Sequence, residues 1–264
     1  MANIQLSVFT KPWQKLSLPD LGKLVRELGF DGIEFPVRPG YQVEPENILR
    51  DLPPAARQLA DQGVQIFSVA GPTDEATIVA CGEAGVPVIR TMARIAPDET
   101  YTQAEDRYRR EYDALLPLLQ EHGVTIGVQN HCGRYVTNAV GLRALLSGYD
   151  PRYVAAVWDA AHEALGGCAP DLALDAVWPH LCMVNLKNAF WQPTNGPEAQ
   201  YVEWRHYWTD GRHGLCVWPR VVEELKARQY QGVLCLTAEY SDRTAVERLT
   251  AEDIAFACAL LDLH

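Results

Sequence analysis

The sequence predicts a single α/β domain, a (β/α)8 barrel of the TIM type, on the strength of three observations. The chain has 264 residues, close to the length of one such barrel and short for two α/β domains. Short apolar runs alternate with amphipathic helical patterns along its whole length. Eight such runs can be distinguished, and eight strand–helix units favour a closed barrel of parallel strands covered by helices.

The first unit shows the recurring pattern most clearly. Ser17 lies where a helix would begin, with Pro19 in the first turn and Asp20 three residues after the serine, as helix N-termini favour. Gly29 then supplies the left-handed position at which many helices end. A short β-branched run follows this glycine, and the junction recurs later. We therefore predict strands at residues 4–9, 32–35, 63–67, 85–89, 123–128, 153–158, 181–186 and 232–236.

An open, doubly wound sheet is the alternative to the barrel. Such a sheet would place a glycine-rich phosphate loop after its first strand. The residues there are Thr10, Lys11, Pro12 and Trp13, which do not form one. The sequence also lacks a P-loop and a G-x-S-x-G elbow. The barrel is therefore the preferred fold.

One connection is unusually long. We predict a loop of aromatic residues at about 188–217, whereas connections in such folds usually have about 2–6 residues. A long aromatic loop over the active face of a barrel is typical of a lid or substrate wall. Aromatic and arginine side chains are equally typical of a contact between subunits, so a homo-oligomer is an alternative interpretation.

The composition disfavours several classes of binding partner. A formal net charge of −11 disfavours binding to nucleic acid. The first residues resemble a strand rather than a signal peptide, and apolar runs long enough to span a membrane are missing. The seven cysteines form no C-x-x-C pair, so neither a disulfide framework nor a zinc knot is indicated. We expect a cytoplasmic protein with no nucleic-acid or membrane partner.

Polar residues recur near the predicted strand ends at positions whose parity points inward. Inside a barrel a polar side chain is costly, but the carboxyl ends of the strands are where this fold builds its sites. The shared position favours one polar cup over several separate rim contacts. The residues are Glu34, Gln129, His131, Asp159, Asn185, Lys187, Thr237 and Glu239.

Five segments carry a resemblance to a known group of proteins. They are FDGIE at residues 30–34, GVQNH at 127–131, WDAAH at 158–162, VNLKN at 184–188, and YQG at 230–232 leading to Glu239. In order and spacing they resemble the xylose isomerase-like TIM barrel superfamily, which includes ketose 3-epimerases, inosose dehydratases and endonuclease IV barrels. The resemblance extends over nearly the whole chain.

The resemblance implies a metal site that this sequence matches poorly. Enzymes of the superfamily hold one divalent metal, such as Mn, Mg, Co or Zn, with Glu, Asp, His and Glu side chains from strands five to eight. The implied positions are Gln129, Asp159, Asn185 and either Thr237 or Glu239, and only Asp159 matches. Neutral amides are poor substitutes for carboxylate and imidazole ligands. We therefore expect one weakly bound divalent metal or none.

The resemblance also implies a sugar or polyol isomerase or epimerase that transfers a proton next to a carbonyl group; a lyase also fits. Asp159 and Glu239 are the candidate acid–base groups, and Lys187 is placed to replace part of the metal's charge. His162 stands at the histidine of the family's D-x-x-H segment, which usually contacts substrate. It is also a catalytic candidate, because either His162 or His131 is suited to shuttle a proton near neutral pH. The candidate substrate-binding residues are Trp13, Glu34, His131, Trp158, Asn185 and Arg205. The alternative is a non-catalytic sugar-binding barrel or partner subunit that kept only the fold.

Overall fold

The structure, a computed structural model, describes residues 4–263 and contains a closed barrel of eight parallel strands. The barrel strands are β1 Ile4–Phe9, β2 Gly32–Pro36, β3 Gln65–Ala70, β4 Val88–Met92, β5 Thr125–Gln129, β6 Val154–Asp159, β7 Leu181–Leu186 and β10 Gly232–Leu236. Their order around the barrel is β1-β10-β7-β6-β5-β4-β3-β2. The predicted fold class is confirmed.

Helices follow the strands and form the outer layer. They are α1 Leu18–Leu28, α2 Ile48–Ala60, α3 Glu75–Ala84, α4 Tyr101–His122, α5 Ala139–Leu146, α6 Ala160–Leu165, α7 Pro170–Val177, α8 Trp218–Ala227 and α9 Val246–Leu261. The predicted caps of α1 are present, since the Ser17 side chain accepts a hydrogen bond from the Asp20 amide and Gly29 has a φ of 91°. Among residues 4–263, every helix is too short or too polar to cross a membrane.

Three glycines of the repeated junction, Gly63, Gly85 and Gly123, lie before their strands instead of beginning them, whereas Gly232 begins β10 as predicted. Gly85 and Gly123 are left-handed C-caps of α3 and α4, with φ of 71° and 63°. The strands start two or three residues later and run further than predicted, so β4 includes Arg90 and Met92. The predicted starts at Gly63, Gly85 and Gly123 are therefore wrong, because a left-handed residue leaves the preceding helix and cannot continue into a ladder.

The barrel strands have apolar side chains on both faces, in two separate clusters. The barrel interior holds a small cluster made by Phe9, Ala70, Val157, Met183 and Cys235. Val157, Met183 and Cys235 have the parity that the sequence predicts to point inward. Alternate residues of the same strands pack outward against the helices in a much larger core. Because the interior is filled by apolar side chains, polar inward residues collect at its carboxyl end.

The predicted aromatic loop is largely a β-hairpin. Strands β8 Asn188–Pro193 and β9 Trp204–Thr209 pair antiparallel, from Asn188 opposite Thr209 to Pro193 opposite Trp204. Phe190 and Tyr207 stack across it with ring centroids 5.1 Å apart. The description of this whole segment as a loop was wrong, because aromatic cross-strand pairs stabilise a hairpin.

Asn188 fastens this hairpin to the barrel. Its buried amide donates to the carbonyl oxygens of Gly211 and Cys216, at 3.0 and 2.9 Å. Its Oδ1 accepts from the backbone amides of Ala189 and Cys216, at 3.0 and 2.9 Å. A Cβ on Gly214 would lie 2.0 Å from this Oδ1, so only glycine fits there. One side chain thus fixes both ends of the segment that carries the hairpin.

Replacing Asn188 with Leu is expected to lower the free energy of unfolding by about 2–3 kcal/mol, because it leaves buried backbone groups without partners. Urea unfolding measures the loss. The matched control is Asn195→Leu, since Asn195 makes two similar bonds to Tyr201 and Glu203 at the exposed hairpin tip, where water can replace them. Equal losses in the two variants would contradict the anchoring role of Asn188.

Candidate active site

Four polar side chains form a connected chain across the carboxyl ends of β2, β4, β5 and β6. Arg90 Nε donates to Glu34 Oε2 at 2.8 Å, and its Nη1 donates to Gln129 Oε1 at 2.7 Å. Gln129 Nε2 donates to Asp159 Oδ2 at 2.7 Å. All four residues are buried. The predicted inward residues Glu34, Gln129 and Asp159 therefore meet, and Arg90 links them.

Arg90 is the main site residue that sequence reasoning missed. Its Nη2 also lies 2.7 Å from Glu34 Oε1, off the line of a hydrogen bond. Burial by itself lowers the pKa of Arg90, but the adjacent Glu34 carboxylate outweighs it and raises this pKa. The predicted strand ended at residue 89, one residue before it. An arginine two residues after Val88 in an apolar strand was the available signal, because these positions share a face.

Asp159 ends β6 and begins α6. Its Oδ1 accepts hydrogen bonds from the backbone amides of Ala161 and His162, both at 3.0 Å. Burial raises the pKa of Asp159, while the positive charge of Lys187 opposes the rise. Since both oxygens have partners, this carboxylate acts on its surroundings mainly by orienting the helix that carries His162.

Glu239 lies between two lysines beyond the end of β10. Its Oε2 is 2.7 Å from Lys187 Nζ, and its Oε1 forms a short contact with Lys11 Nζ. Burial by itself would raise the pKa of Glu239, but the charges of Lys187 and Lys11 lower it strongly. This carboxylate therefore stays ionised and is a weak base.

The chain between Thr237 and Glu239 leaves strand geometry. Ala238 has a φ of 49°, which is left-handed and costly for a residue with a side chain. Side chains beyond the end of β10 therefore do not continue the inward and outward alternation of the strand. Glu239 is the residue that reaches Lys187, while Thr237 stays buried beside the strand end.

His131 and His162 face one another with ring centroids 3.9 Å apart. The peptide groups of Cys132 fix both tautomers. His131 Nδ1 lies 2.8 Å from the Cys132 carbonyl oxygen, which can only accept, so Nδ1 carries the proton. The Cys132 amide donates to His162 Nδ1 at 3.1 Å, so that nitrogen is unprotonated. In neutral rings, His131 Nε2 is therefore an acceptor and His162 Nε2–H is a donor.

Both histidines are held in the neutral form. Burial lowers the pKa of His131, and Lys187 and Arg90 add to the effect, against the Cys132 carbonyl and Glu239. Burial lowers the pKa of His162 further, with contributions from Lys187, His131, His206 and Arg90. The pair therefore presents one proton acceptor and one proton donor without net charge.

The hairpin closes one side of the cup. Lys187 Nζ lies 3.5 Å from the ring centroid of Trp208, and the His162 ring lies 5.1 Å from the same ring. His206, two residues earlier on β9, contacts Trp208 from the same face. The hairpin thus places the Trp208 ring against the catalytic candidates Lys187 and His162.

Two buried side chains in the cup have polar atoms without a hydrogen-bond partner among the described residues, although Asp159 Oδ2 lies 4.0 Å from His162 Nε2. Both amide atoms of Asn185 are unpaired, and so is His162 Nε2. Asn185 is in register with Asp159 on the neighbouring strand, so its amide lies at the mouth of the barrel. Buried polar atoms are nearly always hydrogen-bonded. These atoms are therefore placed to bind a polar ligand.

Three of the predicted substrate-binding residues lie elsewhere. Trp158 packs in the core between strands and helices, where its indole donates to Glu163 at 3.2 Å. Trp13 packs in the same core. Arg205 points to the opposite face of the hairpin from Trp208 and donates to Gln192. The physical reason is parity, since Trp158 and Arg205 alternate with Asp159 and His206.

The residues at the implied metal positions do not fit a divalent ion. Gln129 directs its oxygen to Arg90 and its NH2 group to Asp159, so it has no oxygen free to act as a ligand. Glu239 is neutralised by two lysines. Two cations, Arg90 and Lys187, lie among these positions and would repel a metal. Arg90 and Lys187 thus contact two of the side chains, Gln129 and Glu239, at which the resemblance implies a metal.

A second group, His131, Cys132 and His162, has potential ligand atoms within 4.8 Å of one another. It is also a poor metal site. His162 Nε2 carries the ring proton because Nδ1 accepts from the Cys132 amide, and burial raises the pKa of the Cys132 thiol, which disfavours the thiolate.

The chain belongs to the xylose isomerase-like TIM barrel family, whose sequence model matches residues 23–260. The family resemblance predicted from the five segments is thereby confirmed. Among curated proteins, none matches this sequence significantly.

Solved structures of similar fold cover almost the entire chain. L-ribulose 3-epimerase has a TM-score of 0.74 at 16% identity, covering 99% of this chain and 95% of its own. The 3-keto-D-glucoside 4-epimerase from E. coli has a TM-score of 0.73 at 13% identity, covering 97% and 100%. A probable 3-DHS dehydratase from Bacillus anthracis has a TM-score of 0.72 at 16% identity, covering 96% and 98%. At these identities the likeness concerns the fold.

Proposed function

We propose that this protein is a carbohydrate-active isomerase that moves a proton next to a carbonyl group of a sugar or polyol-derived substrate, without a tightly bound divalent metal. The observation that carries the proposal is the pair of neutral histidines with opposite fixed tautomers beside the buried ammonium of Lys187. The sugar epimerases and the dehydratase among the similar structures support this reaction class.

His131 is the base in this proposal. Its Nε2 takes the proton from the carbon next to the carbonyl group, and the C–H electron pair forms the enediolate as the carbonyl electrons move to oxygen. Protonated His131 then returns the proton to the former carbonyl carbon, while the neighbouring hydroxyl proton moves to the enediolate oxygen. One base on one face of the substrate favours isomerisation over epimerisation, which needs a proton donor on the opposite face.

His162 and Lys187 stabilise the negative charge that forms on oxygen. The Nε2–H of neutral His162 donates a hydrogen bond to the carbonyl oxygen, as neutral imidazole does in other isomerases. The Lys187 ammonium supplies the positive charge, and Glu239 holds it in place at 2.7 Å. A preorganised cation in a buried site is effective because little water screens it.

The test is a turnover screen on ketoses, aldoses and ketoinositols, with the protein treated with EDTA and then assayed with and without added Mn²⁺, Mg²⁺, Co²⁺ or Zn²⁺. If the proposal holds, the turnover rate after EDTA treatment stays within about twofold of the rate of the untreated protein. Activity that appears only with a metal would overturn the metal-free mechanism. The matched variant is His131→Gln, which is expected to remove turnover while substrate binding persists.

A non-catalytic sugar-binding barrel or partner subunit is the second candidate. The observation that favours it is the continuous series of hydrogen bonds from Glu34 through Arg90 and Gln129 to Asp159. These side chains bind one another, as they would in a purely structural network. Sugar binding without turnover on every substrate tested would favour this candidate over the isomerase.

The proposed base predicts the pH dependence of the reaction. A histidine base works in its neutral form, and the pKa of His131 lies below its ordinary value of 6.5. Activity should therefore hold as pH falls to 6.5 and be lost only below it. The measurement is kcat/KM against pH. An acid limb above pH 6.5 would contradict the assignment of His131 as the base.

A further inference from the structure

A cavity of about 410 Å³ opens beside the cup, at the carboxyl ends of β2, β3 and β4. Its charged lining residues are Arg38, Arg90 and Arg94, and its lining includes no aspartate or glutamate. The volume suits a small ligand. In a protein with a net charge of −11, an all-cationic cavity is a local departure from the overall charge.

The three arginines differ in how they are paired. Arg90 is engaged by Glu34 and Gln129 at the inner wall. The guanidinium groups of Arg38 and Arg94, in contrast, form no ion pair or hydrogen bond with any other residue between 4 and 263. Two charged donors with a planar fork of N–H groups are therefore free in the same cavity.

Arg38 is held close to Arg90 although both are positive. Their Cζ atoms lie 5.6 and 4.8 Å from the centroid of the same Phe9 ring. Burial and the charge of Arg90 lower the pKa of Arg38 and outweigh the opposing contributions of Tyr41, Glu239 and Glu34. A half-buried guanidinium near a second cation is an electrostatic cost that an anion in the cavity would relieve.

We propose that Arg38 and Arg94 bind a carboxylate or phosphate group of the substrate, so that the enzyme acts on an anionic sugar rather than a neutral one. The claim that this anionic sugar is turned over rests on the proposed function, whereas the claim that the two arginines bind an anion does not. Guanidinium groups recognise both oxyanions through paired hydrogen bonds.

Two residues that line the cavity also contact the residues of the cup. Tyr135 lines it, and the Tyr135 ring centroid lies 4.6 Å from that of His131. Arg90 lines it too and contacts Gln129, which leads to Asp159. A sugar whose charged end binds Arg38 and Arg94 would therefore extend toward His131.

The experiment compares binding of matched ketoses by calorimetry at low ionic strength. Each pentulose and hexulose is tested as the neutral sugar, as the terminal phosphate and as the terminal carboxylate. The variants are Arg38→Met, Arg94→Met and the control Arg57→Met, an exposed arginine on α2 away from the cavity. Thermal melting checks that each variant is folded.

At least one anionic form should bind tenfold or more tightly than its neutral counterpart. Arg38→Met and Arg94→Met should each weaken that binding by about 10- to 100-fold, leaving the neutral sugar and Arg57→Met unchanged. The anionic form that binds more tightly shows whether the site prefers a phosphate or a carboxylate group. Equal binding of neutral and anionic sugars, or no binding of any anionic form, would overturn the proposal.

The readout separates this inference from the proposed function. Tight anion binding without turnover keeps the anion site and removes the isomerase. Turnover of neutral sugars with no preference for the anionic forms keeps the isomerase and removes the anion site.

Discussion

Replacing Lys187 with Met is expected to lower kcat by about 10²- to 10³-fold, the usual cost of removing one group that stabilises a developing oxyanion. Lys187 is 6% exposed, and its ammonium is held by Glu239 and by the face of Trp208. Methionine matches the apolar part of the lysine side chain as far as Cε and lacks only the ammonium group, so the variant tests mainly the charge. KM should change much less than kcat, because the charge acts mainly when the enediolate forms.

The fold should tolerate the Lys187 variant. Glu239 keeps Lys11 as a partner, and 22% of its side chain remains exposed to water. The matched control is Lys23→Met on α1, where the lysine pairs with Glu27 at the surface. Steady-state kinetics of both variants on the substrate found in the screen provides the measurement. A kcat within threefold of the unmodified protein would remove Lys187 from the mechanism.

Replacing Arg90 with Met is expected to lower the free energy of unfolding by about 3–5 kcal/mol, the largest stability effect that we expect for one substitution. The variant leaves the carboxylate of Glu34, which is 0% exposed, without its cation, and it leaves Gln129 Oε1 without a donor. Urea unfolding of Arg90→Met, Glu34→Gln and the double variant forms a double-mutant cycle. The double variant should recover much of the loss, because position 34 then carries no buried charge that has lost its cation.

A surface pair provides the comparison for Arg90. Arg107 pairs with Glu99 at 2.9 Å, but 35% of its side chain is exposed. Arg107→Met should cost about 1 kcal/mol or less, because water replaces the lost partner. If Arg90→Met destabilises the protein no more than Arg107→Met, the buried chain from Glu34 to Asp159 does not hold the mouth of the barrel together.

Sequence reasoning reached the strands of the barrel and much of the cup. It relied on the two-residue repeat of β-strands. Short apolar runs indicated the strands, and the alternation of side chains placed four polar residues on the inner face, namely Glu34, Gln129, Asp159 and Asn185. It failed where alternation breaks or where a boundary is off by a few residues. Ala238, with a left-handed φ of 49°, separates Thr237 from Glu239. The end of β4 was set too early to include Arg90.

The sequence by itself determined the fold class, the family and the strand ends at which polar residues gather, because these follow from periodicity and short segments local in the chain. Only the tertiary structure decided the partners of those residues. Lys187 pairs with Glu239 across 52 positions and Arg90 with Glu34 across 56. Such contacts arise when strands far apart in sequence close into one ring, so tautomer, charge and pairing become defined only in the folded barrel.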